Sequence, residues 1–352
     1  MKLRNPIPTV GFLTWSSPVP TGGNVYDDRL TEALRALGVD VHRHHAPGTW
    51  PADAHRHRDE VAAALESPIP WLVDSIVAYG VPDLVVAAAD RGQPLTILLH
   101  SLLSTEVGLS TEDRERYRAL QATALQAAGR VIATSRWAAD DLRRRYRTAD
   151  VVVARPGVVP APLAAGSPGA ARLLSLGSVT ATKDQLGLVE ALGRIADLPW
   201  TARVVGGDRV HPDYTAAVHA AIRRLQLDHR VTLTGPLVGS DLDQEWEATD
   251  LLVLTSRSET YGMVVVEALS RGIPAVVCAG TGAVEALGAI DGTTPGAVVP
   301  AGDPVALAGV LRRWLNDSDL RRIWRTTARQ RRETLTTWES CARTALTALV
   351  AE

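Results

Sequence analysis

Lys183 is one of only two lysines among the 37 basic residues of this 352-residue chain; the other, Lys2, stands in the leader. Before it runs Gly177-Ser178-Val179-Thr180-Ala181-Thr182, preceded by the apolar stretch Leu173–Leu176 and followed by helical spacing. A polar, glycine-containing loop that feeds a helix N-terminus favours anions, because free backbone N–H groups and the helix dipole point there. A lysine at that place adds a mobile point charge for phosphate. The bland alternative is a solvated surface lysine, which the arginine bias of the chain weakens. A Walker loop is excluded: neither Ser nor Thr follows the lysine.

The second constellation is Ser258-Glu259-Thr260-Tyr261-Gly262-Met263-Val264-Val265-Val266-Glu267, with two glutamates eight positions apart. It follows the apolar run Leu251–Thr255, so it lies at a strand's carboxyl end. Amides of the helix's first turn around Gly262, Met263 and Val264 could hold a diphosphate. A carboxylate accepts two hydrogen bonds at once, which suits paired sugar hydroxyls for Glu259 and a ribose for Glu267. The alternatives are dipole compensation for Glu259 and a helix-surface place for Glu267.

The elements that must position these groups alternate almost throughout. Thr9–Trp15, Val39–His44, Trp71–Val73, Thr96–Leu99, Val131–Thr134 and Val151–Ala154 read as strands, with helices over Asn24–Leu37 and Arg136–Tyr146, the latter capped by Ser135. Arg155 to Ala170 has four prolines, three glycines and no periodicity; it reads as a linker, placed at 158–170. Strand–helix alternation then restarts: Leu173–Leu176, helix Lys183–Ile195, Ala202–Val205, helix Pro212–Leu225, Val231–Thr234, helix Asp241–Ala248, Leu251–Thr255, helix Met263–Arg271 and Ala275–Cys278. Pro304–Glu352 reads as helix throughout. Such alternation predicts parallel sheets covered on both faces. The expectation is an N-terminal domain over 1–157, a C-terminal domain over 171–336 and a last helix, about 337–352, crossing back onto the first. Ligands of such sheets bind at the carboxyl ends of strands.

Composition narrows the classes. A net charge of −2 gives no global field for nucleic acid. Met1–Pro8 has no apolar core of a signal peptide, and no apolar run approaches a membrane span, so a cytoplasmic protein is expected. Cys278 and Cys341 read as buried free thiols. Arginine clusters at 143–145 and from Arg312 to Arg332 read first as solvated faces; peripheral membrane contact at the inner face is their second reading.

Around these motifs the chain resembles the family 4 retaining glycosyltransferases of GT-B fold. The resemblance is carried by Glu-x7-Glu within Ser258–Val276, by Arg230-Val-Thr-Leu-Thr-Gly235, by Ala248–Leu254 and by the loop 177–183, in the order that family uses. It extends more weakly over Pro20-Thr-Gly-Gly-Asn24, Gly38-Val-Asp-Val41, Leu99-His100 and Ile132–Trp137. It implies an α/β chain of GT-B type, two doubly wound Rossmann-like domains facing across a cleft. It implies transfer of a hexose from a UDP- or GDP-sugar to a hydroxyl of a small-molecule or lipid-linked acceptor, with retention, by a front-face mechanism that needs no metal or other cofactor.

By position, Lys183 would hold the donor diphosphate, Glu259 the transferred sugar and Glu267 the ribose. Gly22 and Gly23 would let backbone approach the phosphates or acceptor, and His100 would face the sugar near the reacting carbon. The family often has an arginine five residues before the lysine, where this chain has Ser178; Arg257 is a candidate substitute. Thr260 and Tyr261 complete the donor loop.

Rivals remain: a pseudo-glycosyltransferase or non-catalytic nucleotide-sugar binder, and a phosphorylase-like enzyme with pyridoxal phosphate on Lys183. A nicotinamide oxidoreductase lacks its Gly-x-Gly-x-x-Gly turn. Asp241-Leu-Asp243 imitates a metal-binding Asp-x-Asp, but reads as a first helical turn capped by Ser240. The histidines at 42, 44, 45, 55 and 57 read as strand and loop residues rather than a metal site. Trp15, Trp50 and Trp71 suit either an acceptor-stacking surface or the core.

Overall fold

The computed structural model describes residues 8–17, 21–146 and 150–350. Lys2 and Pro20 therefore lie outside the described residues. The chain divides into two compact units, one running to Gly157 and regaining the chain from Thr336, the other Val158–Leu335.

The first unit holds β1 (Thr9–Trp15), β2 (Asp40–Ala46), β3 (Trp71–Asp74), β4 (Leu95–Leu99), β5 (Arg130–Ala133) and β6 (Val151–Val153). They form one parallel sheet in the order β2-β1-β3-β4-β5-β6. The order reverses between β1 and β3, which makes their carboxyl ends the switch point where ligands of such sheets bind. Helix Gly22–Ala36 follows β1. It starts where the Thr21 hydroxyl accepts from the Asn24 amide, and it buries Tyr26, Asp27, Leu30, Thr31 and Leu34 on one face. The final helix, Trp338–Val350, lies on this unit: the Tyr26 hydroxyl donates to the Ala154 carbonyl at 3.0 Å and lies 3.1 Å from Cys341 Sγ.

The second unit holds β7 (Ala171–Leu176), β8 (Trp200–Val205), β9 (Val231–Gly235), β10 (Leu251–Leu254), β11 (Ala275–Cys278) and β12 (Gly296–Val299). The parallel order is β12-β11-β10-β7-β8-β9, with the switch point between β7 and β10. Alternate residues enter opposite cores. Leu251 and Val253 join one apolar cluster, and Leu252 and Leu254 the other. Both faces are thus dry, which is why β10 and β11 read as unbroken apolar runs rather than alternating ones.

Several expectations need correction. Residues 158–170 are not a free linker but an extended part of the second unit. The Ala164 amide donates to the Arg271 carbonyl and the Gly166 amide to that of Glu247, both at 2.9 Å, and the Ser167 hydroxyl donates to Asp250. Those partners are backbone groups and one carboxylate, so they impose no side-chain periodicity. The last stretch is three helices, Pro304–Asn316, Ser318–Arg332 and Trp338–Val350, because Asp317 leaves helical angles to cap the second of them. Helix Gly239–Glu247 starts ahead of Ser240, with Val238 as its flanking residue, so Ser240 lies in the first turn and is not the cap. Helix Gln185–Gly193 begins after Lys183, capped by Asp184 at φ 53°, a left-handed angle that Asp tolerates better than most residues.

Candidate functional site

At the β7/β10 switch point two loops of the second unit meet. The Lys183 ammonium donates to Glu259 Oε2 at 2.5 Å, with the side chains 30% and 15% exposed. The two residues singled out for an anion and for sugar hydroxyls therefore hold each other. The loop bearing Lys183 is fixed from both sides. Its own carbonyl accepts from the Thr255 hydroxyl at 2.8 Å, and the Thr182 carbonyl accepts from the Arg257 amide at 2.8 Å. Gln185 reaches back to the Ser178 carbonyl at 3.0 Å and accepts from the Thr180 amide at 3.2 Å. The lysine thus projects from a rigid turn, and only its head need move to meet a ligand.

Arg257 donates through Nε to Asp184 at 2.8 Å. The hydrogen bond and charge of that carboxylate raise the guanidinium further above its ordinary range. Asp184 also accepts from the Gly187 amide as the helix cap, so one buried carboxylate aims Arg257 and starts the helix behind Lys183. Ser178 offers no charge, so Lys183 and Arg257 are the cations these two loops present.

The Glu259 loop rests on a close backbone approach. The Gly282 amide donates to the Glu259 carbonyl at 2.7 Å, and a side chain at Gly282 would come within 2.1 Å of the Thr260 carbonyl oxygen. Gly262 turns the chain into helix Met263–Ser270 at φ 88°, an angle that favours glycine. Tyr261 is 4% exposed and buried in a core cluster, so it can offer a donor only backbone. Met263 and Val264 start the helix. Glu267 lies on it; burial raises its carboxyl above the ordinary range, and Arg271 opposes only in part. The structure thus brings Lys183 and Glu259 into direct contact, and holds Glu267 by backbone geometry on the same element as Gly262.

In the first unit, His100 directly follows β4, beside Asp74, which ends β3, and beside Asp27 of helix Gly22–Ala36. Asp27 Oδ1 is 2.7 Å from His100 Nε2, and Asp74 Oδ2 is 3.8 Å away. Among the described residues these three are the only group of His, Cys, Asp and Glu whose ligand atoms converge, within 4.8 Å. A 2.7 Å separation is that of a direct hydrogen bond between Asp27 and His100. Gly23 lies against the ring: a side chain there would come within 3.1 Å of the imidazole. Gly22 has open space around it. Neither Asp27 nor Asp74 was expected from sequence, since each is a single acid whose neighbours carry no motif.

The other readings resolve separately. Trp50 and Trp71 are buried in the first unit's core and present no stacking surface; Trp15 is partly buried against that core. His42 pairs with Asp40, His45 with Thr14 and His57 with Glu60. Asp243 approaches Arg271 at 3.5 Å. Cys278 and Cys341 are free and buried, and burial raises the thiols to about 11 and about 12. Among the described residues no helix is long and apolar enough to cross a membrane.

Residues 166–331 match the family described as Glycosyl transferases group 1. The match spans nearly all of the second unit and just under half of the chain, and marks the protein as a glycosyltransferase. A D-inositol 3-phosphate glycosyltransferase from Kineococcus radiotolerans is 28% identical over 84% of this chain and 82% of its own. A mannosylfructose-phosphate synthase from Agrobacterium fabrum is 31% identical, but over 30% of this chain and 24% of its own length. Among solved structures, a sucrose-phosphate synthase from Thermosynechococcus elongatus superposes with a TM-score of 0.82 at 20% identity, covering 97% of this chain and 98% of that one. Anabaena HepE, solved in complex with UDP and glucose, gives 0.74 at 19% identity over 98% and 100%. These likenesses establish the GT-B fold, with the two parallel sheets of this glycosyltransferase as its two Rossmann-like domains.

Proposed function

We propose that this glycosyltransferase moves a hexose from a UDP- or GDP-sugar to a hydroxyl of a small-molecule or lipid-linked acceptor, with retention and without a metal ion. The observation that carries the reading is the Lys183–Glu259 contact at the β7/β10 switch point, a cation for phosphate touching a carboxylate for sugar hydroxyls. The likeness to a protein solved with UDP and glucose supports a nucleotide-sugar donor. Names of relatives such as D-inositol 3-phosphate glycosyltransferase support a small polar acceptor.

The bond between the anomeric carbon and the β-phosphate oxygen breaks, and the diphosphate leaves with its electron pair. The acceptor oxygen bonds to the same face of the carbon, and its proton passes to the departing phosphate oxygen. Charge grows on the phosphate, so preorganised cations carry much of the rate enhancement. Lys183 is the first of these. Arg257 is the second, taking the place of the arginine that Ser178 replaces. Glu259 holds the sugar hydroxyls and Glu267 the ribose. A salt-bridged Lys183 suits phosphate better than the neutral amine of a Schiff base.

The test is a thermal-shift and donor-hydrolysis panel with UDP-, GDP- and ADP-sugars, with and without EDTA. A melting shift with one nucleotide series plus EDTA-resistant sugar release is the expected result. Sugar release abolished by EDTA and restored by a divalent ion would overturn the metal-free reading.

A further inference from the structure

Within the first unit His100 is held through its backbone, its Nε2 and a neighbouring ring. Its backbone amide donates to the Ser75 hydroxyl at 3.1 Å. The Tyr26 ring meets it edge-on, with centroids 5.4 Å apart at 70°. Asp27 is 0% exposed and spends Oδ1 on Nε2, while its Oδ2 is buried without a hydrogen-bond partner. Asp74 is 1% exposed; its Oδ1 caps helix Ser75–Gly80 by accepting from the Ile76 amide at 2.6 Å, which fixes Oδ2 beside the imidazole.

Two buried carboxyl groups beside one imidazole cannot both stay ionised at low cost, since one imidazolium supplies only one compensating charge. A carboxylate that stays ionised when buried needs a partner charge, and among the described residues the His100 imidazole is the cation-forming group that reaches both. Three other titratable groups near the ring or its carboxylates, Tyr26, Tyr79 and Cys341, are held neutral by burial.

We propose that Asp27 is the positioning residue of His100: through the 2.7 Å contact it fixes the ring and keeps it an imidazolium, so that a ligand at the carboxyl end of β4 meets a hydrogen-bond-donating cation and not a base. Asp74 is the lesser partner, farther away and the natural home for a proton. This rests on the reading of His100 as a sugar-facing residue of a glycosyltransferase. It deepens that reading by assigning the ring's working state: a cation that donates hydrogen bonds, whereas a base would deprotonate an acceptor. The titration behaviour agrees. Burial alone lowers the imidazole, but the charges of Asp27 and Asp74 outweigh it and raise His100 to about 9. Burial raises Asp74 to about 7, the His100 charge opposing and Asp27 adding to the rise.

The experiment is a carbon-13 histidine NMR titration of the full chain in EDTA, with the His100 signal identified by its loss in His100→Ala. The wild type is expected to titrate near 9. Asp27→Asn should lower that value by two units or more, and Asp74→Asn by less. A wild-type value at or below 6.5, or a larger fall in Asp74→Asn than in Asp27→Asn, overturns the proposal. Should Asp27→Asn fail to fold, Asp74→Asn carries the test: a value still above 7.5 supports Asp27 as the main partner, and one at 6.5 refutes it. The functional arm is the pH profile of donor hydrolysis. The expected profile is flat from pH 6 to 8 and falls above 9, with the fall moved toward 7 in Asp27→Asn. A rise through a pKa near 6.5 would make His100 a base and overturn the proposal. The NMR arm needs no donor, so its failure is distinct from the failure of the proposed activity.

Discussion

Glu259→Gln should make this glycosyltransferase bind a bare nucleoside diphosphate more tightly. Lys183 is engaged by Glu259 at 2.5 Å, so a diphosphate that claims the ammonium must break that pair. The side chains are 30% and 15% exposed, between the surface limit of about 0.2–1 kcal/mol and the roughly 3–5 kcal/mol seen when a buried pair is broken. A cost of about 1–2 kcal/mol follows, or about 5–30-fold in affinity. Gln keeps the shape and an acceptor oxygen but gives up the charge, so the variant should bind the diphosphate tighter by that factor. The sugar conjugate behaves differently. It loses a hydrogen bond to a charged group, about 1.5–3 kcal/mol, which offsets or exceeds the gain. The gain is common to both ligands, so the ratio of conjugate Kd to diphosphate Kd should rise by the lost hydrogen bond alone, about 10–150-fold. Isothermal titration calorimetry with UDP and with the matching UDP-sugar, or with the nucleotide that shifts the wild-type melting temperature, measures both. A variant that binds the diphosphate no more tightly than wild type refutes the idea that Glu259 and phosphate compete for Lys183.

Further expectations follow from the same geometry. Lys183→Ala should weaken binding of the donor by about 10–150-fold, the worth of a charge-assisted hydrogen bond, while circular dichroism stays native; unchanged donor affinity would remove the lysine from the site. Arg257→Ala should cost about 1 kcal/mol in urea denaturation, because buried Asp184 loses a partner although the arginine head is 44% exposed; no loss would show that water replaces the guanidinium fully. Stability should also fall as pH rises from 5 to 9. His100 is raised in the folded state, so its contribution is complete below about 6.5 and lost as pH passes through about 9. Asp74 is raised to about 7, so ionising it costs stability between its ordinary 3.8 and 7, a slope of the same sign. Asp74→Asn should flatten the lower part of the curve, and a wild-type denaturation midpoint that rises across this range would contradict both assignments.

How much was legible in the sequence depended on whether the signal was local. β1 is Thr9–Trp15 as its apolar run predicts, and helix Arg136–Tyr146 starts after Ser135, whose hydroxyl accepts from the Ala138 amide at 2.9 Å. Lys183 and Glu259 were each visible from their own loops, since glycine, strand end and helix start all fall within a few residues. β12 and helices such as Thr111–Ala127 were not read. The helix has only Gln121, Ala124 and Leu125 buried, too little for a clear apolar stripe, and β12 is just four residues with its two middle positions more open than its ends.

The contacts made by the charged groups were the least legible, and topology explains why. Lys183 and Glu259 are 76 positions apart, and Asp27 and His100 are 73 apart. Each pair meets because two strands distant in sequence become neighbours where the strand order reverses: β7 with β10, and β1 with β3, which β4 then joins. A residue at the carboxyl end of such a strand is brought near its counterpart by sheet order, not by any spacing along the chain. The Glu259 loop had a recognisable pattern and could be found alone. Asp27 is one acid on a buried helix face, and its identity follows only from what the sheet places opposite it. A buried acid in an otherwise apolar helical stripe is costly unless some partner meets it. That cost is the one local signal Asp27 carries: it announces that a partner must exist, while the order of the strands decides that the partner is His100.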